Sequence, residues 1–442
     1  MKLEDVIEKA RLLQHLCCPL QLFGIAMSPY KEMIIDSQSI DFHSTLIALS
    51  SALDLVGVDE VHHGKRVAMM AHHMAQEMGW PEEESYSILV AGMLHDCGVS
   101  KNQEHRNLTE TLEWDGAEEH CIRGAGYLSA CPPLAHLALE IRYHHTRWET
   151  LLTLPLDEHT RRRANLIYLA DRVDVLQAPF LGSELILMEF EGIISRIQTL
   201  TGTLFAADLV AAFTAAAQVQ AFWLSMEPDY LDEDLVNLGV ARHPTILDYA
   251  SLKEVARLFS HVVDAKSPFT DEHSQRVARI ARQLGSDLGL PAENLEQLEI
   301  AGLLHDIGKL RVSEGIIEKP GCLSPEERAS IHRHSYDTYR ILRRAFGHTH
   351  IPVWAGSHHE KLRGDGYPFG SQGNELDLEC RIMSVADIFQ ALAQNRAYRK
   401  GTGLEEILDD LRRRVEDGEI DGIVVERLAK QGAYYYDLAT RD

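Results

Sequence analysis

The apolar positions of this chain recur at intervals of three and four residues. In RVARIARQLGSDL (276–288) and EILDDLRRRV (406–415) they trace one face of a helix, with charged residues on the other. Strand-like alternation is scarce. The pattern predicts an all-α protein.

The pattern also repeats. HHGKRVAMMAHHMAQEMGWPEEESYSILVAGMLHDCG (62–98) aligns without a gap with EHSQRVARIARQLGSDLGLPAENLEQLEIAGLLHDIG (272–308), at a constant offset of 210. His63 falls on His273, Arg66 on Arg276, His95 on His305 and Asp96 on Asp306. The offset then grows to 214, where His120 meets His334 and the pair His144–His145 meets His358–His359. At 216, YLADRVDVL (168–176) meets SVADIFQAL (384–392), so Asp171 matches Asp387. The expectation is two tandem, related helical domains, at 47–235 and 243–442, behind a helical lead at 1–46. Gly and Pro in LGVARHPTI (238–246) mark a linker.

Composition narrows the chemistry. The 442 residues are 45% hydrophobic, enough for a core in each domain. A net charge of −24 repels nucleic acid, so a DNA or RNA polymer is not an expected partner. No apolar run approaches the roughly 20 residues of a membrane span, and MKLEDVIEKARLLQHL lacks the apolar core of a signal peptide. A bacterial-type cytoplasmic protein with no membrane partner is the expectation. The seven cysteines are scattered and form no CxxC, which suits reduced thiols rather than disulfides or a zinc ribbon. The 23 histidines are the informative count, because imidazole is the commonest metal ligand.

In the second copy the candidate ligands are His273, His305, Asp306, His334, His358, His359 and Asp387. One HD dipeptide arises by chance, and a lone histidine is commonly a core or surface residue. Here all seven residue types recur at matched places in the other copy while most neighbours differ. Imidazole with carboxylate suits Mn, Fe, Ni, Co or Zn. Seven donors exceed the needs of one ion and fit two that share a bridging carboxylate. Two ions about 4 Å apart can polarise a phosphoryl group, activate a water and stabilise a leaving oxygen. His305 and Asp306 lie about 100° apart on a helix, so both can serve one site.

His273, HDIGK (305–309), His334, HHE (358–360), GYP (366–368) and RIMSVADIFQALAQNRAYR (381–399) together resemble the HD-GYP family, a branch of the HD phosphohydrolases. The resemblance covers residues 250–405, and the preceding HD copy is similar to the tandem HD/HD-GYP subgroup. It implies a metal-dependent phosphodiesterase that opens a cyclic dinucleotide, cyclic di-GMP or 3′,3′-cyclic GMP-AMP. By resemblance one ion is held by His273, His305 and Asp387, the other by His334, His358 and His359, with Asp306 bridging. Fe or Mn is favoured, with Ni, Co or Zn also compatible. The resemblance further gives Lys309 a catalytic role, donating to the phosphate, with Gly366, Tyr367 and Pro368 shaping a loop over the site and Arg396 and Arg399 gripping phosphate.

Two positions depart from the family. Phe269 stands where some members carry a third-metal glutamate, which implies two metals and a linear, 5′-phosphorylated dinucleotide as product. Arg363 stands where aspartate is usual in the run before GYP, so loop geometry or base preference is expected to differ.

The first copy keeps His63, His95, Asp96, His120, His144, His145 and Asp171, a full ligand set for the same two ions. Val99 replaces Lys309, no GYP follows, and Phe180 and Ser183 stand at the places of Arg396 and Arg399. Lys101 and Arg147 are the candidates to replace the lost cations. An inert scaffold, a metal-bound sensor, and a second phosphohydrolase acting on the 5′-phosphate of the linear product remain open readings. For the whole protein the alternatives are a general HD nucleotidase and a non-catalytic cyclic dinucleotide receptor. A monomer and a homodimer are both compatible with the sequence.

Overall fold

The computed structural model describes residues 40–56, 62–241, 245–266, 272–394 and 401–441. Phe269, Arg396, Arg399 and most of the expected lead lie outside the described residues. Among the described residues the chain is helical, as the periodicity predicts, and its β contacts are two isolated bridges. No described helix is long and apolar enough to cross a membrane.

The first copy contains α1 (Phe42–Leu53), α2 (His63–Glu77), α3 (Glu82–Leu94), α4 (Asn102–Glu110), α5 (Glu118–Ser129), α6 (Ala138–Tyr143), α7 (Glu158–Gln177) and, near its end, α8 (Pro228–Ala241). The second begins with α9 (Tyr249–Asp264), α10 (His273–Asp287) and α11 (Ala292–Leu304). It continues with α12 (Pro325–Phe346), α13 (Ile351–Gly356), α14 (Leu378–Ala393), α15 (Leu404–Glu416) and α16 (Gly422–Lys430). The helices α2 and α10, like α3 and α11, have the same length and the same repeat offset of 210.

Local signals set the ends. Asp157 caps α7 by accepting from Thr160 N–H, and Asp377 caps α14 by accepting from Cys380 N–H. Ser324 and Glu327 form a reciprocal capping box on α12, with Pro325 in the first turn. Each copy enters the helix of its first histidine through a non-glycine residue in the left-handed region, His62 at φ 76° and Glu272 at φ 59°. Such matched strain persists where surrounding structure over-determines it, commonly beside functional groups.

Two helices cross the domain limits read in the sequence. The helix α1 starts ahead of residue 47, and α8 runs past 235 into the expected linker. The chain before α1 pairs with the chain after α8, with Phe42 N–H on Thr245 O at 2.8 Å and Leu247 N–H on Ile40 O at 2.9 Å. The copies then meet reciprocally: α1 packs on α12 of the second copy, and α9, the counterpart of α1, packs on α5, the counterpart of α12. Tyr127 of α5 stacks on His261 of α9, centroids 5.7 Å apart. Lys266 adds a polar tie, donating to Leu310 O and Val312 O at 2.6 Å each and to Asn102 Oδ1 at 3.3 Å.

Candidate active site

The α-helix carrying the second HD pair stops at Leu304. His305 caps it, Asp306 leaves it at φ −102°, and a 3-10 turn, Ile307–Arg311, follows. The pair therefore reaches the site from a helix end rather than from within a helix, and Lys309 sits on the tighter turn that follows. Glycine makes this turn feasible. A Cβ on Gly308 would lie 2.1 Å from His334 O, and one on Gly98 would lie 1.9 Å from His120 O. In both copies the HD loop rests on the backbone of the helix that carries the third histidine.

The seven candidate ligands of the second copy converge. His273, His305 and Asp387 form one group of mutually close donor atoms, and His334, His358 and His359 form another. Asp306 stands between them. Its Oδ2 lies 3.5 Å from His273 Nε2 and 3.3 Å from His305 Nε2, and its Oδ1 lies 3.4 Å from His334 Nε2 and 3.7 Å from His358 Nε2. The rings are oriented from behind by Nδ1–H donors, His305 to Gly302 O at 2.9 Å and His358 to Ala355 O at 2.6 Å. Each bond fixes the tautomer that aims Nε2 at the centre. His273 donates its Nδ1–H to Gln390 Oε1, a residue that the sequence reading missed although it lies one helical turn beyond Asp387.

The first copy repeats the arrangement. Asp96, His120, His144 and His145 form one group and His63, His95 and Asp171 the other. The Asp96 oxygens divide as those of Asp306 do, Oδ1 lying 3.3 Å from His120 Nε2 and Oδ2 3.5 Å from His95 Nε2. Behind His63 stands Asp174, at 2.7 Å from Nδ1, itself clamped by Arg66.

Electrostatics favour cations at both centres. Burial works to lower the pKa of His273, yet the carboxylates of Asp306 and Asp387 raise it to about 10. Burial and the neighbouring His334 push His359 down to about 3. Asp306 Oδ1, Asp96 Oδ1 and His95 Nε2 are buried without a hydrogen-bond partner. Leaving such atoms unpaired is costly, and divalent ions would satisfy this all-imidazole-and-carboxylate set.

The two centres differ in access. The second opens into a cavity of about 600 Å³ bordered by Lys309, Tyr367 and Ile388. Lys309 Nζ lies 2.5 Å from Asp306 Oδ2. Tyr367 stacks on His332, centroids 3.9 Å apart, and precedes Pro368 through a cis bond. Gly366 lets the loop fold tightly, since a Cβ there would lie 2.5 Å from Glu360 Cα. Glu360 secures the loop, its carboxylate accepting from Phe369 N–H at 2.6 Å and Ser371 N–H at 2.9 Å.

The first centre borders a cavity of only about 20 Å³, with Val99 at the place of Lys309. Lys101 and Arg147 do not line it. Lys101 is exposed at the start of α4, and Arg147 pairs with Glu113 at 3.1 Å and Glu149 at 3.0 Å.

Comparison with known proteins agrees with this duplication. Residues 61–176 and 257–424 each match an HD domain model. The chain is 39% identical over 405 residues to the 3′3′-cGAMP-specific phosphodiesterase 1 of Vibrio cholerae serotype O1, covering 91% of this chain and 94% of the relative. It is 32% identical over 232 residues to a cyclic di-GMP phosphodiesterase of Pseudomonas aeruginosa, covering 52% of each. A solved structure of a cyclic GMP-AMP-specific phosphodiesterase from V. cholerae shares the fold at a TM-score of 0.60 and 24% identity, over 89% of this chain and 98% of that one.

Proposed function

The chain belongs to the HD-GYP family of cyclic dinucleotide phosphodiesterases, and from that footing we propose that its second copy opens 3′,3′-cyclic GMP-AMP or cyclic di-GMP to a linear, 5′-phosphorylated dinucleotide. One observation carries the reading: the two oxygens of Asp306 face two separate histidine groups, and His358, His359 and Asp387 of those groups, with the Lys309 that holds Asp306, line a cavity of about 600 Å³. That volume lies within the usual range of small-molecule sites.

His273, His305 and Asp387 would hold one divalent ion and His334, His358 and His359 the other, shared through Asp306. Fe or Mn is the proposed pair. When bound, such ions supply Lewis acidity and a polarised water. Lys309 sets its ammonium at the Asp306 carboxylate, where it would neutralise charge that builds on the phosphoryl oxygens. Water adds to phosphorus, the bond to the 3′-oxygen breaks, and that oxygen leaves with a proton, so the phosphate stays on the 5′ side. Tyr367 bounds the cavity, with Gly366 and Pro368 shaping the loop that carries it, and Arg396 and Arg399 are proposed to grip phosphate from beyond the described residues.

The first copy is proposed to hold metal through the same donor set. A phosphatase role there needs a larger opening than about 20 Å³, so the metal-bound reading stands ahead of the second-enzyme reading. The test is product analysis with Mn(II) or Fe(II) for wild type, His305→Ala/Asp306→Ala and His95→Ala/Asp96→Ala. The first double variant is expected to leave the ring intact; ring opening by it refutes the assignment. If the second accumulates a 5′-phosphorylated dinucleotide that wild type removes, the first copy is a second enzyme.

A further inference from the structure

The large cavity has a wall that the chemistry above does not use. It is formed by Lys361, just after His358–His359, by Arg414 of α15 and by Glu419 in the following turn. Glu419 sits among the cations. Its Oε1 accepts from Lys361 Nζ at 2.8 Å and from Arg363 Nη2 at 3.0 Å, and its Oε2 accepts from Arg414 Nη1 at 3.2 Å. Main-chain bonds fasten the same turn: Leu362 N–H donates to Glu419 O at 3.0 Å, and Arg363 Nη1 donates to Asp417 O at 3.1 Å. Arg363, the residue that departs from the family pattern, does not line the cavity and instead cross-links its wall to the GYP loop.

The three wall groups carry two positive charges and one negative. Arg414 gives Nε–H to Asp410 Oδ2 at 2.7 Å and Nη1 to Glu419, which leaves Nη2 without an acceptor among the described residues. Lys361 likewise donates to Glu419 alone. A cyclic dinucleotide carries two phosphodiesters on one ring. With one at Asp306 and Lys309, the other lies in the same cavity, where a desolvated phosphate needs cationic donors. Val312, Ile331, Ile388 and Ile420 line the cavity with apolar surface, which suits bases rather than charge.

Resting on the function proposed above, we propose that Lys361 and Arg414 bind the second, uncleaved phosphate, with Glu419 and Arg363 as positioning residues. The experiment compares KM and kcat for cyclic di-GMP, cyclic GMP-AMP and cyclic di-AMP with those for bis(p-nitrophenyl) phosphate, which has one diester. Losing one charge-assisted hydrogen bond corresponds to about a tenfold effect or more. Lys361→Met and Arg414→Gln are expected to raise KM for every ring about tenfold, with the effect on bis(p-nitrophenyl) phosphate at least fivefold smaller. Lys361→Arg and Arg414→Lys, which keep the charge, are expected to recover most of the loss. Glu419→Gln is expected to raise KM while leaving kcat within about twofold.

Equal losses on rings and on the simple diester overturn the proposal, as does a loss confined to guanine-bearing rings, which means base recognition. Variants that match wild type on all rings overturn it alone. A wild type that cleaves the simple diester and no ring overturns the function reading, and this inference with it.

Discussion

The Arg172 guanidinium lies on the Asp171 carboxylate, with Nη2 at 2.8 Å and Nε at 3.1 Å from Oδ2. Its remaining donors reach Leu108 O at 3.0 Å, Thr111 O at 2.6 Å and Leu112 O at 3.1 Å, tying the end of α4 over the first centre. The same register of the second copy holds Ile388, which lines the open cavity. Burial would raise the Asp171 pKa, but Arg172 beside it holds the carboxyl well below the usual range.

Arg172→Met removes that neutralising charge. Uncovering a buried ionic group costs about 3–5 kcal/mol, and a bound divalent ion would offset part of it. Chelator-treated variant is therefore expected to lose more unfolding free energy, relative to wild type, than variant in Mn(II). Equal deficits in the two conditions would mean that Asp171 holds no ion.

Gly308→Ala forces a methyl to 2.1 Å from His334 O and 2.9 Å from Thr338 N, both of them backbone atoms. The expected cost is about 3 kcal/mol or more, with loss of bound metal. Gly315→Ala, which has nothing within 4 Å, is expected to stay within about 0.5 kcal/mol of wild type. Denaturant unfolding and elemental analysis of both proteins make the comparison.

Gln390→Leu deprives His273 of its Nδ1–H acceptor. Loss of such a supporting contact weakens metal affinity about 10- to 100-fold. Competition against a chromogenic chelator should read that change, and excess Mn(II) should restore ring opening. No change in affinity would make the contact merely structural.

Burial lowers the Lys266 pKa from its ordinary 10.5 to about 8. The folded value lies below the unfolded one, so between pH 8 and 10.5 the unfolded chain binds more protons. The contribution of this group to stability therefore rises with pH through that window and is level below it. Lys266→Met removes the slope. It also strips the donor from Leu310 O and Val312 O, a loss of about 1–3 kcal/mol at pH 7. The stability gap between wild type and variant, followed by denaturant midpoints, should widen above pH 8; a constant gap overturns the assignment.

Much of the site was legible because the chain states it twice. Each ligand type recurs at an offset that steps only from 210 to 214 to 216, so His305 and Asp306 are read through His95 and Asp96. Gln390 and Asp174 were missed because their signal is a single polar residue one turn beyond a ligand, chemically different in each copy. The wall of Lys361, Arg414 and Glu419 comes from segments that only the turn after α15 brings together. Lys101 and Arg147 are the replacement cations that the sequence offers, but neither lines the cavity of the first centre, and Arg147 is paired with Glu113 and Glu149. Nothing local in the sequence shows that α1 packs on α12, some 280 residues downstream, because that contact depends on how the two copies meet.

The reciprocal packing of α1 on α12 and of α9 on α5 is the contact plan of a dimer written into a single polypeptide. Between identical chains a substitution strikes both sides of the axis at once. Here it strikes one. The Tyr127–His261 stack already shows this freedom, since its mirror positions carry Ile341 and Ser51. Within one chain the halves need not change in step, and one centre borders a cavity of about 20 Å³ while the other opens into about 600 Å³.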